Sequence, residues 1–183
     1  MKKETISLIK NHYLFLVLLL IFTIFAFSKI SELEQLPSPI YGGDLYYHLG
    51  GMINLMEGNS YLDNPQMNNE DAWTPPAYNW IVVAFAKITG LDIIKANIYS
   101  SIMFMIISLG LVYFIVNKFF KDKLISLLFS CFFITSFPIL KYLQFAEYIF
   151  TPLMFYAFYK FYKNPSNKNS IFAGVSFGLM GIS

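Results

Sequence analysis

The sequence predicts an all-α, polytopic helical membrane protein with juxtamembrane helices in its first extracytoplasmic loop. Three observations lead there. Of its 183 residues 56% are hydrophobic and only 13% charged, with a mean hydropathy of +0.53. A soluble domain of this length has no interior large enough to hide so much apolar surface. The apolar runs are separated by short turns rich in lysine. A single long polar stretch, residues 41–80, follows the first of these runs. All 13 basic residues are lysine, and the lone Cys131 rules out a disulfide within the chain. No feature points to a nucleic acid.

Each element follows in order. Residues 13–30 form an apolar run after Lys2, Lys3 and Lys10, with no small-x-small cleavage site beyond it. That pattern predicts a retained first span rather than a removed leader. Residues 31–97 form the outer loop. Gly42-Gly43 reads as a sharp turn, and residues 44–57 as a surface helix. Its stripe of Leu45, Leu49, Met52, Ile53 and Met56 would rest on the membrane, with Asp44, His48 and Gly51 on another face. Residues 77–89 are apolar and bounded by Pro75-Pro76 and Gly90. Thirteen residues rise roughly 20 Å, too little for a hydrocarbon core of about 30 Å, so this is a second surface helix. Further spans are expected at 98–116, 124–140, 148–162 with Pro152 inside it, and 171–183. The last is too short to finish its crossing, so the chain reads as the N-terminal module of something longer, all within one transmembrane domain of residues 1–183.

Lysine placement orients the bundle. If residues 77–89 do not cross, Lys29, Lys87, Lys95 and Lys141 lie outside and the other nine lysines inside. If they do cross, six lysines are inside and seven outside. The positive-inside rule selects the first arrangement. It puts the N-terminus in the cytoplasm and makes the chain a multi-pass protein of a prokaryotic plasma membrane. It also turns Asp44 and Glu147 outward.

The order of a basic N-terminus, a first span, GGDLYYH, then WTPPAYNWIVVAFAKITG and a span ending in KFFKDK resembles the N-terminal module of the GT-C superfamily of membrane glycosyltransferases. The Pro-Pro-x-Tyr-x-Trp stretch is similar to the protein mannosyltransferase and aminoarabinose transferase families. The Asp44-x-x-Tyr47-His48 pattern is closer to the catalytic subunit of oligosaccharyltransferase. No Asp-Glu pair is present, because Leu45 follows Asp44. The resemblance implies a GT-C-like fold and a sugar donor carried on polyprenyl phosphate or diphosphate. It also implies a second acidic site at Glu147 and an acceptor that is a protein, lipid or glycan.

Glycosyl transfer needs a group to deprotonate or orient the acceptor and compensation for charge developing on the phosphate leaving group. Asp44 and Glu147 are the candidate catalytic residues. A divalent cation such as Mg or Mn shared by these two carboxylates, or alternatively Lys141, would answer the leaving group. His48, Tyr47 and Lys141 are the candidate substrate-binding residues. Bland alternatives stand beside each assignment. Asp44 also suits a helix cap, His48 a packing role, Tyr47 and Trp73 interface anchors, and Glu147 with Lys141 an interfacial pair. Asp63, Glu70 and Asp71 read as solvated loop charges. Two other function classes remain. A transporter or flippase of lipid-linked sugars would carry ionisable or helix-breaking residues deep in its spans, which are nearly uncharged here. A non-catalytic membrane scaffold would need no polar constellation outside.

Overall fold

Backbone amides buried in lipid must be paired within their own segment, so apolar runs of this kind fold as helices. The computed structural model of the chain describes residues 2–30, 32, 39–60, 77–135 and 146–181, with side chains at 12–29, 32, 46–60, 77–133 and 149–181. All regular structure among the described residues is helical: α1 Lys2–Ile30, α2 Pro39–Met56, α3 Ala77–Thr89, α4 Ile93–Phe120, α5 Lys123–Thr135, α6 Ala146–Lys163 and α7 Asn167–Gly181. Among the described residues, His12–Lys29 of α1 and the whole of α4 are long and apolar enough to cross a membrane.

Helix ends are set by local chemistry. Gly90, at φ 71°, closes α3, its N–H bonding to the Ala86 carbonyl at 2.8 Å. Asp92 caps α4 by accepting from the N–H groups of Ile94 and Lys95 at 3.1 and 3.0 Å. This cap adds five residues to the start of the helix relative to the apolar run at 98–116. Lys121, in the left-handed region at φ 53°, ends α4. Asp122 at once caps α5, accepting from Leu124 and Ile125 at 2.8 and 3.0 Å. The corner between α4 and α5 is therefore two residues long. In α1 the helical geometry breaks at His12 (φ −122°, ψ 19°), so the lysine-bearing first turns and the apolar run are separate segments of one helix. Pro152 sits inside α6 without ending it.

α4 is the central helix and packs against α1, α2, α3, α5 and α6. It runs antiparallel to α1. Phe15 stacks on Tyr113 with centroids 3.9 Å apart at one end, and Phe27 packs on Tyr99 at 5.9 Å toward the other. Phe119 meets Tyr156 and Tyr159 near the C-terminus of α6, so α6 runs parallel to α4, and α7 folds back on α6. The main core lies between α2, α3 and the first half of α4, around Met52, Tyr78, Val82, Ala86, Ile98 and Phe104.

α2 departs from the sequence reading in two ways. It begins at Pro39, so Gly42-Gly43 lie within the helix rather than forming a turn before it. Proline at a helix start carries no penalty, and that start outweighs the two glycines. The apolar stripe also divides. Met52 is fully buried in the core, whereas Ile53 and Met56 are exposed. The face with His48 and Gly51 points into the protein rather than away from it.

Candidate functional site

α2 and α3 meet through polar side chains. Tyr47, His48 and Gly51 of α2 are buried. His48, 6% exposed, donates from Nδ1–H to Oδ1 of Asn79 at 2.9 Å, and Asn79 is 1% exposed. An amide oxygen can only accept, so in this bond the His48 proton sits on Nδ1. Gly51 lies so close that a Cβ there would stand 2.8 Å from Asn79 Nδ2. One helix face thus presents His48, one turn of close backbone approach, and a buried amide that bridges the two.

The next layer joins α3 to α4. The Tyr78 hydroxyl donates to Oδ1 of Asn97, and the Tyr78 ring lies edge-on to His48 at 5.6 Å. Burial pushes the Tyr78 phenol well above its ordinary pKa, with the neighbouring Ser101 hydroxyl offsetting part of the shift. The phenol therefore stays a neutral donor. Ser100 and Ser101 return their protons to the Asn97 carbonyl at 2.9 and 3.0 Å. Asn97 Nδ2 is buried with no hydrogen-bond partner. The cluster is a relay of amides, phenol and imidazole at the end of α4 opposite Lys118.

The predicted residues map onto this frame as follows. Asp44 is the sixth residue of α2 and sits one turn before His48. Its place in the second turn removes the cap reading, since a cap stands outside the first helical residue. Tyr47 is buried in protein, not anchored at an interface. Glu147 is the second residue of α6. Two residues beyond Asp44, Tyr46 packs on the main core, and two residues beyond Glu147, Ile149 packs on the same core. The side chains of Asp44 and Glu147 lie outside the described set, as do Lys141, Asp63, Glu70, Asp71 and Trp73 altogether. Among the described residues no three His, Cys, Asp or Glu gather as a metal site. Asn79, Asn97 and Tyr78 were missed. Their signal was a polar residue inside an otherwise apolar helical run, which predicts a buried hydrogen bond.

Residues 74–183 match the profile of the dolichyl-phosphate-mannose-protein mannosyltransferase family, well over half of the chain. The chain belongs to that family. An uncharacterized protein of Methanocaldococcus jannaschii is 31% identical over 102 residues, covering 56% of this chain and 76% of its own length. No solved structure matches the chain. The mannosyltransferase family is a family of membrane glycosyltransferases within the GT-C superfamily, and the two long apolar helices agree with a membrane location. The family match spans α3 to α7, including Asn79, Asn97 and Glu147, and begins after Asp44 and His48.

Proposed function

We propose that the chain moves a sugar from a polyprenyl-phosphate-type lipid donor to an acceptor at the extracytoplasmic face of a prokaryotic plasma membrane. Asp44 and Glu147 are its catalytic carboxylates. Membership of a membrane mannosyltransferase family supports the reaction class. The observation that carries the site is the locking of α2 onto α3 by His48 and Asn79, one turn from Asp44. A general base must be held to a fraction of an ångström to act. A helix tied by a buried imidazole–amide bond meets that need, where a surface helix merely floating on lipid does not.

In this reading Asp44 takes the proton of the acceptor nucleophile as the bond from sugar to phosphate breaks. Glu147 lies at the start of α6, whose Ile149 packs on the same core. The donor set fits a hard divalent cation, because carboxylates suit it and an imidazole held by an amide at Nδ1 is how a ligating histidine is commonly oriented. Bound between Asp44 and Glu147, Mg or Mn would neutralise charge on the departing phosphate, with Lys141 as the alternative. His48 and Tyr47 shape the donor side. The bilayer confines the donor's tail, so the protein need position only the head.

Asp44→Asn keeps the size of the side chain and removes its charge. Transfer from a polyprenyl-phosphate sugar should fall by roughly 100-fold or more, while thermal stability holds. Glu147→Gln with and without chelator then separates a base from a metal ligand. Near-normal turnover in Asp44→Asn would overturn the assignment and favour a non-catalytic role.

A further inference from the structure

We propose that the lysine-rich end of the bundle holds one anionic phospholipid, seated between α1, α4 and α5 with its phosphate at Lys123 and His12. A cavity of about 220 Å³ opens there, lined by His12, Tyr13, Phe15, Tyr113, Lys123 and Leu124 among others. Its walls are largely apolar, and Lys123 brings a positive charge to them. The Tyr113 hydroxyl and His12 Nδ1 share a hydrogen bond of 2.8 Å. With the hydroxyl donating, the imidazole carries its proton on Nε2, a donor for a phosphate oxygen.

Charge identifies the occupant. Asp122, the carboxylate next to Lys123 in sequence, turns one oxygen to the N–H groups of Leu124 and Ile125 at the start of α5. Among the described residues Lys123 has no ion pair. Lys118 and Lys121 lie within a turn or so along the same corner, and Lys10 is two residues before His12 in sequence. An apolar slot with a cationic rim at the end of two membrane-length helices matches a lipid phosphodiester and the first carbons of its chains. The break in α1 at His12 places the ring where the apolar segment begins, at headgroup depth. Tyr13 and Leu124 are exposed beside it, a surface suited to the upper part of an acyl chain. The site is independent of the transfer reaction and lies at the other end of α4 from the Tyr78–Asn97 layer.

The purified full chain would be stripped of lipid and titrated with phosphatidylglycerol or phosphatidylcholine of identical chains, with bound lipid counted by native mass spectrometry. One phosphatidylglycerol should be retained in preference to phosphatidylcholine, and inorganic phosphate alone should not compete at equal concentration. Lys123→Gln should weaken retention about five-fold. Leu124→Trp, a change at an exposed position on the rim, should block the slot and lower occupancy further. Lys121→Gln, beside the cavity but not lining it, should leave retention unchanged. Equal losses for Lys121→Gln and Lys123→Gln would mean diffuse attraction rather than a site and would overturn the proposal. Equal binding of phosphatidylcholine, or competition by free phosphate, would overturn it as well.

Discussion

The two ends of α4 are held by different chemistry. Near its N-terminus, α2 and α3 dock through buried amides, a phenol and an imidazole. Near its C-terminus, α1 docks through rings: Phe15 stacked on Tyr113, with His12 and Phe114 edge-on around them. The difference follows the solvent. Between membrane-length helices, lipid tails are as apolar as the side chains they replace, so association rests on shape and dispersion. Stacked rings supply both and tolerate small slides. At this end α3 is too short to cross a membrane and α2 is broken by polar residues, and neither crosses in our reading, so lipid cannot fix their orientation. Hydrogen bonds between buried groups can, because each unmade bond costs more than it returns when made. The amide end is thus specified and the aromatic end adaptable. A catalytic carboxylate is better placed on the first.

The largest test of that contrast is Asn79→Leu. It preserves volume but strips His48 of its acceptor, and the melting temperature in detergent should drop by the equivalent of about 1–3 kcal/mol, with sugar transfer falling in parallel. An unchanged melting temperature would place no stability in the amide layer. Gly51→Ala comes next, since its Cβ would meet Asn79 Nδ2 at 2.8 Å. Overpacking of this kind costs about 1–3 kcal/mol. Pairing it with Asn79→Ala should recover part of that loss, a coupling that two independent sites would not show.

Smaller effects sharpen the aromatic side. Tyr113→Phe keeps the stack on Phe15 and removes only the hydroxyl shared with His12, so about 1 kcal/mol is expected. The last test is pH. Burial raises the Tyr78 phenol above its ordinary value of 10.0, so the folded chain keeps a proton that the unfolded chain loses. Stability from this group is constant below pH 10 and declines as pH rises beyond it, by about 0.8 kcal/mol at pH 10.5. Tyr78→Phe should flatten that decline in thermal melts between pH 9 and 11, whatever its effect on the absolute value.

Much of this architecture was legible in the sequence. α3 has the bounds read from Pro75-Pro76 and Gly90, because those residues punctuate a helix through their own backbone geometry. The all-helical class followed from apolar content alone. α2 was harder. Gly42-Gly43 resembles a turn by local propensity, yet the helix starts at Pro39 and runs through both glycines. Its polar face looked solvent-directed because the partner, Asn79, lies 31 residues away. Periodicity shows that a residue shares a face, never what that face meets. Asp44 and Glu147 were proposed from order and charge, whereas the buried amides Asn79 and Asn97 needed the fold.

The aromatic contacts along α1 and α4 also bear on the bilayer. From Phe15 to Phe27 α1 rises about 18 Å, and from Tyr99 to Tyr113 α4 rises about 21 Å. Ring contacts near both ends limit the two helices to small slides against each other. Yet their greasy lengths differ: His12–Lys29 covers about 27 Å, whereas Lys95–Lys118 covers about 36 Å. A hydrocarbon core of about 30 Å suits neither. A bilayer of that thickness would thin beside α1 or be met by snorkelling side chains, and would thicken beside α4 or meet it tilted. The flank where α1 is exposed is where such a mismatch would meet lipid directly, since much of α4 is covered by its neighbouring helices.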